Sequence, residues 1–180
     1  MDDNNIRELD MEQQDTDGIA KRATEYHKRL IHQTSIVSEK EYQKFLMERL
    51  EKDNDFVVRK ATNFDRYYAV DREMLFKFLN DTQLDTMDYL RKIYKDDLEE
   101  TIVSFINAET TKTRGSLIEV LKHGIELSNQ KIELMYTKPA TTFNPELTKK
   151  YGQNIFSVME EVWASDKERI DVVIFLNGLA

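Results

Sequence analysis

The 180-residue chain has no cysteine, three histidines and a single tryptophan, and its 26 basic residues are outnumbered by 34 acidic ones. Without cysteine there is no disulfide framework and no thiolate metal site, a composition compatible with a reducing cytoplasm. His27, His32 and His123 stand in separate segments without a shared ligand spacing, which argues against zinc. The formal charge of −8 argues against gripping DNA by bulk electrostatics, because neutralising phosphates needs a basic surface. No apolar run approaches the length of a membrane span, and the acidic start of the chain carries no signal-peptide pattern. What remains is a chain 40% hydrophobic and 33% charged, suited to one helix-rich domain with a sizeable core plus a helical extension.

Met1 to about Gly18 is polar and acidic, and reads as a frayed helix or interaction arm. Ala20 to Leu30 mixes basic residues with Tyr26 and Leu30, the pattern of a solvated helix. Ser38-Glu39-Lys40-Glu41 is a capping box and predicts a helix to about Asp53. Phe56 to Arg59 is β-like, and Asn63 to Arg66 reads as a loop.

From Asp71 the apolar spacing turns helical. Met74, Leu75, Phe78 and Leu79 form one stripe, Met87, Leu90, Ile93 and Tyr94 a second, and Leu98, Ile102, Phe105 and Ile106 a third. They predict helices near 72–80, 84–95 and 97–110. Thr110 to Ser116 breaks the pattern without the glycine spacing of a phosphate loop, and Ser116 to His123 predicts a further helix ended by Gly124. Ile125 to Leu127 and Ile132 to Thr137 then flank Ser128-Asn129-Gln130 as a β-hairpin, and Asn144-Pro145 opens a helix that Gly152 ends.

The remaining pattern is strand. Ile155 to Ala164 is a strand broken at Glu160-Glu161, two acids that alternation places on opposite faces. Ile170 to Leu176 is apolar except for Asp171, and Asn177-Gly178 after it is the strongest short hairpin signal, since a type I′ turn needs φ > 0 twice. A partner strand should begin at Leu179-Ala180, so the chain is expected to be the N-terminal piece of a longer protein. Period two sets Asp171, Val173 and Phe175 on one face, and a carboxylate among apolar neighbours must be paired, hydrogen-bonded or metal-bound. Spacing alone favours a strand-end acid paired with Arg169 or Lys167.

Three stretches in order carry a resemblance. Asp71, Leu75, Phe78, Leu79 and Thr82-Gln83 fit a D-x-x-x-L-x-x-F-L-x-x-T-Q pattern, Gly124 to Pro139 fits a G…N-x-x-I-x-L-x-Y-x-K-P pattern, and Asn154 to Gly178 supplies the acid-led strand and its turn. Together they resemble the N-terminal nuclease region of the restriction (R, or HsdR) subunit of type I restriction-modification enzymes, over roughly residues 34–180. The resemblance implies a PD-(D/E)XK nuclease fold, here a helical part to about residue 123 packed on an incomplete mixed β-sheet over 124–180, after an arm and helix over 1–33. It makes Asp171 the first catalytic and metal-binding acid, with the Glu-x-Lys half of the motif lying beyond Ala180.

Glu161 is a secondary metal candidate. Glu48, on the first core helix, is a third, although as a residue in a charged helix it reads first as a surface glutamate. The implied cofactor is Mg²⁺, with ATP used only by motor domains of the parent protein. The implied partners are double-stranded DNA and the methylation and specificity subunits, with no membrane and a cytoplasmic location. The fragment is expected to be inactive alone and prone to self-association through the edge of its last strand. A reading of another class is a helical docking module for those subunits without catalysis of its own.

Overall fold

The computed structural model describes residues 38–112, 116–141 and 143–180. The arm and basic helix expected before Leu30 lie outside the described residues. The first described helix, α1 (Glu39–Asn54), starts as its capping box dictates. The Glu41 N–H donates to Ser38 Oγ at 3.3 Å, and the Ser38 N–H donates back to Glu41 Oε2 at 2.9 Å. These bonds to Ser38 hold the Glu41 carboxyl below its ordinary value.

Three helices follow where the apolar stripes put them: α2 (Arg72–Thr82), α3 (Leu84–Tyr94) and α4 (Leu98–Thr111), with a 3₁₀ turn at Lys95–Asp97 between the last two. Their inward faces are dry, with Leu75, Phe78, Leu79, Leu90 and Ile102 fully buried. Three stripe positions differ from expectation: Ile93 is exposed, and Tyr94 and Phe105 are only partly buried. The α2–α3 junction is fixed by one amide. Gln83 donates to the Glu133 carbonyl at 2.7 Å and accepts the Glu133 N–H at 2.8 Å, an exchange that imitates a strand pair.

Helix α5 (Leu117–His123) is capped by Ser116, whose Oγ accepts from the Glu119 N–H, and it ends at Gly124. The hairpin that follows is tighter than the sequence suggests. Strands β4 (Ile125–Leu127) and β5 (Gln130–Ile132) are joined by Ser128 and Asn129 alone, at φ 50° and 59°. Two left-handed residues match the strand twist, so Gln130 enters the ladder and Glu133 to Pro139 runs on outside it. Helix α6 (Pro145–Tyr151) opens on Asn144, whose Oδ1 accepts from the N–H groups of Glu146 and Leu147.

A three-stranded sheet is assembled from distant segments in the order β1 (Val57–Arg59), β6 (Phe156–Trp163), β7 (Arg169–Leu176). Strand β1 is parallel to β6, and β7 is antiparallel to it. The sheet is mixed, as expected. Its centre is β6, however, and β7, the strand with Asp171, lies at the edge of the described sheet, because β6 is the strand paired on both sides. Between β1 and α2, a 3₁₀ turn (Ala61–Asn63) and the short pair β2 (Phe64–Asp65) and β3 (Val70–Asp71) replace the expected loop.

The apolar interior has two parts. The larger joins α2, α3, α4 and α5 to Ile125, Leu127, Ile132, Leu134, Tyr136 and Leu179; the smaller is Met159, Val162 and Phe175 with Ala61, Phe64 and Val173 around them. The helices therefore pack chiefly on the β4–β5 hairpin and the extended segment after it, rather than on the sheet that carries Asp171.

Ser157, on β6, is fully buried, and among the described residues its Oγ has no hydrogen-bond partner. A buried hydroxyl without a partner forfeits its hydration for nothing. Ser157→Ala is thus expected to raise stability by about 1 kcal/mol, read as a higher urea midpoint at unchanged slope. A lower midpoint would show that the hydroxyl is satisfied.

Candidate functional site

The face of β7 that carries Phe175, Val173 and Asp171 runs from core to solvent: Phe175 is buried, Val173 half-buried and Asp171 exposed. Asp171, although it belongs to an apolar segment, stands where water reaches it, so the desolvation argument does not constrain it. On the opposite face Ile170 and Ile174 are also exposed.

The hairpin register places a second acid beside it. Glu160 pairs with Val172 and Val162 with Ile170, which leaves Glu161 across from Asp171. The Glu161–Asp171 pair is missing from the ladder because Glu161 adopts φ 54°. That left-handed residue resets the alternation. Glu160 and Glu161 are both exposed, and Val162 is buried with Met159 and Phe175. Arg169 Nη1 lies 3.6 Å from Glu161 Oε1, so a cation already leans on one of the two acids.

Glu48 is not brought to this pair. It sits exposed on α1 with Lys52 Nζ 3.7 Å from its carboxylate, the surface role that its charged helix suggested. Among the described residues no three His, Asp or Glu side chains gather as a metal cage. Two carboxylates on adjacent strands are hard oxygen donors of the kind Mg²⁺ takes alongside water and phosphate oxygens, so the donor chemistry suits that ion while the protein ligands number two.

The Asn177-Gly178 turn closes as its sequence predicts. Asn177 and Gly178 have φ 52° and 80°, the Leu176 N–H donates to the Leu179 carbonyl at 2.9 Å, and the Leu179 N–H returns the bond at 3.0 Å. The turn is buried rather than free. Asn177 Oδ1 accepts the Ile155 N–H at 2.6 Å, and its Nδ2 donates to the Leu134 carbonyl at 2.9 Å and to Asn154 Oδ1 at 3.0 Å. The Gly178 carbonyl accepts the Asp71 N–H at 2.8 Å, and Leu179 bridges to Val70. One end of β7 is therefore locked to the helical core, while the Asp171 end stands in solvent.

Among the described residues the acid that the fold does bury is Asp71, at 0% exposure. Its Oδ1 accepts the Met74 N–H at 3.3 Å as the N-cap of α2, and its Oδ2 accepts Arg59 Nε at 2.8 Å. Arg59 Nη2 also donates to Asp71 Oδ1 at 3.3 Å and to Glu73 Oε2 at 2.5 Å. Hydrogen bonding to Asp71 outweighs burial and raises the Arg59 guanidinium above its ordinary value. The sequence signal was an Asp immediately before an apolar-periodic run. Nothing local marked Arg59 as its partner, twelve residues earlier.

A second, more exposed network joins β2 to α2 and α4. Arg72 Nε donates to Asp65 Oδ2 at 2.7 Å, its Nη2 lies 2.9 Å from Glu100 Oε2, and the Tyr68 hydroxyl donates to Glu100 Oε1 at 2.6 Å. Burial pushes Asp65 up, but hydrogen bonds from Arg72 and from the Tyr67 and Tyr68 N–H groups leave it below the usual value. The bond to Glu100 pushes the Tyr68 phenol up to about 12. These networks hold the β2–β3 segment on the helices and have the character of structural ties.

Among the described residues no helix is long and apolar enough to cross a membrane. Comparison of the chain with protein-family models, with curated proteins and with solved structures gives no match.

Proposed function

We propose that this chain is the N-terminal part of the R subunit of a type I restriction-modification enzyme, and that Asp171 is the first acid of a PD-(D/E)XK centre. The observation that carries the reading is the closed Asn177-Gly178 turn, which turns the chain back antiparallel to β7, the direction from which a following strand would reach Asp171. The parent activity is endonucleolytic cleavage of double-stranded DNA by a cytoplasmic enzyme, with ATP used by motor domains elsewhere in the protein. Asp171, with Glu161 across the hairpin, would hold Mg²⁺, which when bound activates water and stabilises charge on the scissile phosphate. The chain's own contribution is to fix one carboxylate on a strand whose far end is tied to the helical core.

The test is a calorimetric Mg²⁺ titration of a chain extended past the hairpin. Asp171→Asn is expected to weaken binding at least about tenfold, the loss of a charged ligand, and to abolish cleavage. Unchanged binding and cleavage would remove Asp171 from the site. The 180 residues alone are expected to show no metal-dependent cleavage, and turnover in them that Asp171→Ala abolishes would contradict the need for a following strand.

A docking role for the helices, receiving the methylation and specificity subunits, is favoured by apolar side chains left exposed on α1, α3 and α5: Tyr42, Tyr89, Ile93 and Ile118. Subunit capture by a chain that binds no Mg²⁺ would promote this reading over the nuclease. The edge of β7, with Ile170 and Ile174 exposed beside it, is the place for self-association of the fragment, which light scattering across a concentration series would detect.

A further inference from the structure

Beyond the acid pair, the free end of the β6–β7 hairpin gathers aromatic surface and cations. Trp163, the single tryptophan, ends β6 with 53% of its surface exposed, and its ladder partner is Arg169. Lys167 stands in the loop between them, and no ion pair engages its ammonium among the described residues. Arg66 Nη1 donates to Asp166 Oδ1 at 2.6 Å, which ties the segment containing Tyr67, 79% exposed, to the same tip.

Two of the acids near this tip are ion-paired, Asp166 with Arg66 and Glu161 with Arg169. The Glu168 carboxylate receives the Ser165 hydroxyl at 3.4 Å, and Glu160, Glu168 and Asp171 are exposed acids beside the cations. Arg169 and Asp171 are two residues apart on one strand, so their side chains leave the same face about 6.6 Å from each other. That is close to the separation of successive phosphates along a DNA strand. An aromatic face beside a cation is the combination that holds a nucleic-acid strand irrespective of its sequence, the ring stacking on a base and the cation meeting phosphate.

We propose that the β6–β7 tip is a DNA-strand contact in which Trp163 stacks on a base or sugar while Arg169 and Lys167 meet the adjoining phosphates, leading the strand toward Asp171. The inference rests on the nuclease reading for its destination, but the contact itself needs neither metal nor cleavage. Arg169 acts as a positioning residue, exchanging its contact with Glu161 for phosphate and so releasing that acid.

The single tryptophan makes the test direct. The 180-residue chain, in low salt with EDTA, is titrated with a short single-stranded oligodeoxynucleotide and with its duplex; Trp163 emission and the anisotropy of a labelled oligonucleotide are followed together. The expected result is a saturable emission change, an affinity about tenfold weaker in Trp163→Ala and largely restored in Trp163→Phe. In Arg169→Gln the slope of log affinity against log salt should fall by about 0.7 to 0.9. A preference for the single strand would identify base stacking, and one for the duplex a groove contact through the same residues. No binding, or binding that leaves the emission and the Trp163→Ala affinity unchanged, overturns the proposal. Loss of Mg²⁺ binding in the extended Asp171→Asn chain without any Trp163 response would sink this inference alone. A Trp163 response with Mg²⁺ binding indifferent to Asp171 would sink the nuclease reading instead.

Discussion

Arg59→Met should be among the most destabilising single substitutions in the protein, lowering the unfolding free energy by about 3–5 kcal/mol. The reason lies in what it leaves behind. Asp71 has no exposed surface, and two of its bonds come from the Arg59 guanidinium. With Arg59 gone the carboxylate keeps the Met74 N–H and little else to offset its desolvation. Asp71→Ala should cost less, because Arg59 retains Glu73 and is itself slightly exposed; the main losses are the cap, typically about 1 kcal/mol, and one charged hydrogen-bond pair. The double substitution Arg59→Met with Asp71→Ala should therefore cost less than the two singles added together. Urea unfolding of the four proteins checks this. A cost for Arg59→Met below about 1 kcal/mol, the range of surface ion pairs, would mean that water reaches the pair.

How much of this was legible in the sequence depends on how local each signal is. The helices were legible because their information is local: Met74 to Leu79, Met87 to Leu90 and Leu98 to Ile106 carry a 3.6-residue period, and the caps at Ser38, Ser116 and Asn144 each use atoms within three residues. The turns were legible for the same reason, although Ser128-Asn129 closed tighter than expected. What was not legible is non-local. That β1 lies parallel to β6 a hundred residues later, making β6 central and β7 an edge, follows from pairing that no window shows. Glu161 is the clearest case: no local signal marked its left-handed backbone, after which Val162 is buried with Met159 and Phe175. The same non-locality governs the candidate site. Sequence named Asp171 and Glu161 separately, and only the register set them across from each other. It singled out Asp171 and named Asp71 only as the opening of a helical stretch, and the fold exposed the first and buried the second.

Gly178→Ala is expected to destabilise by about 2–6 kcal/mol, from two costs that add. Gly178 has φ 80°, a conformation that strains a residue with a side chain by about 1–3 kcal/mol. A methyl group there would also sit 2.4 Å from the Asp71 carbonyl oxygen and 2.5 Å from the Leu75 nitrogen, both backbone atoms at the start of α2. Neither can swing aside as a side-chain tip would. Relief requires lifting the turn off the helix, and the Asp71 N–H to Gly178 carbonyl bond and the burial of Leu179 go with it. Overpacking of this kind ordinarily costs a further 1–3 kcal/mol or so. Thermal and urea unfolding measure the loss, and Asn177→Gly is the informative control. That change keeps φ > 0 accessible and removes the amide bonds to Ile155, Leu134 and Asn154, so it separates the network's share from the turn's backbone demand. If Gly178→Ala were tolerated within about 1 kcal/mol, the turn would not be docked on α2. The end of β7 would then be free to shift, and with it the strand that positions Asp171.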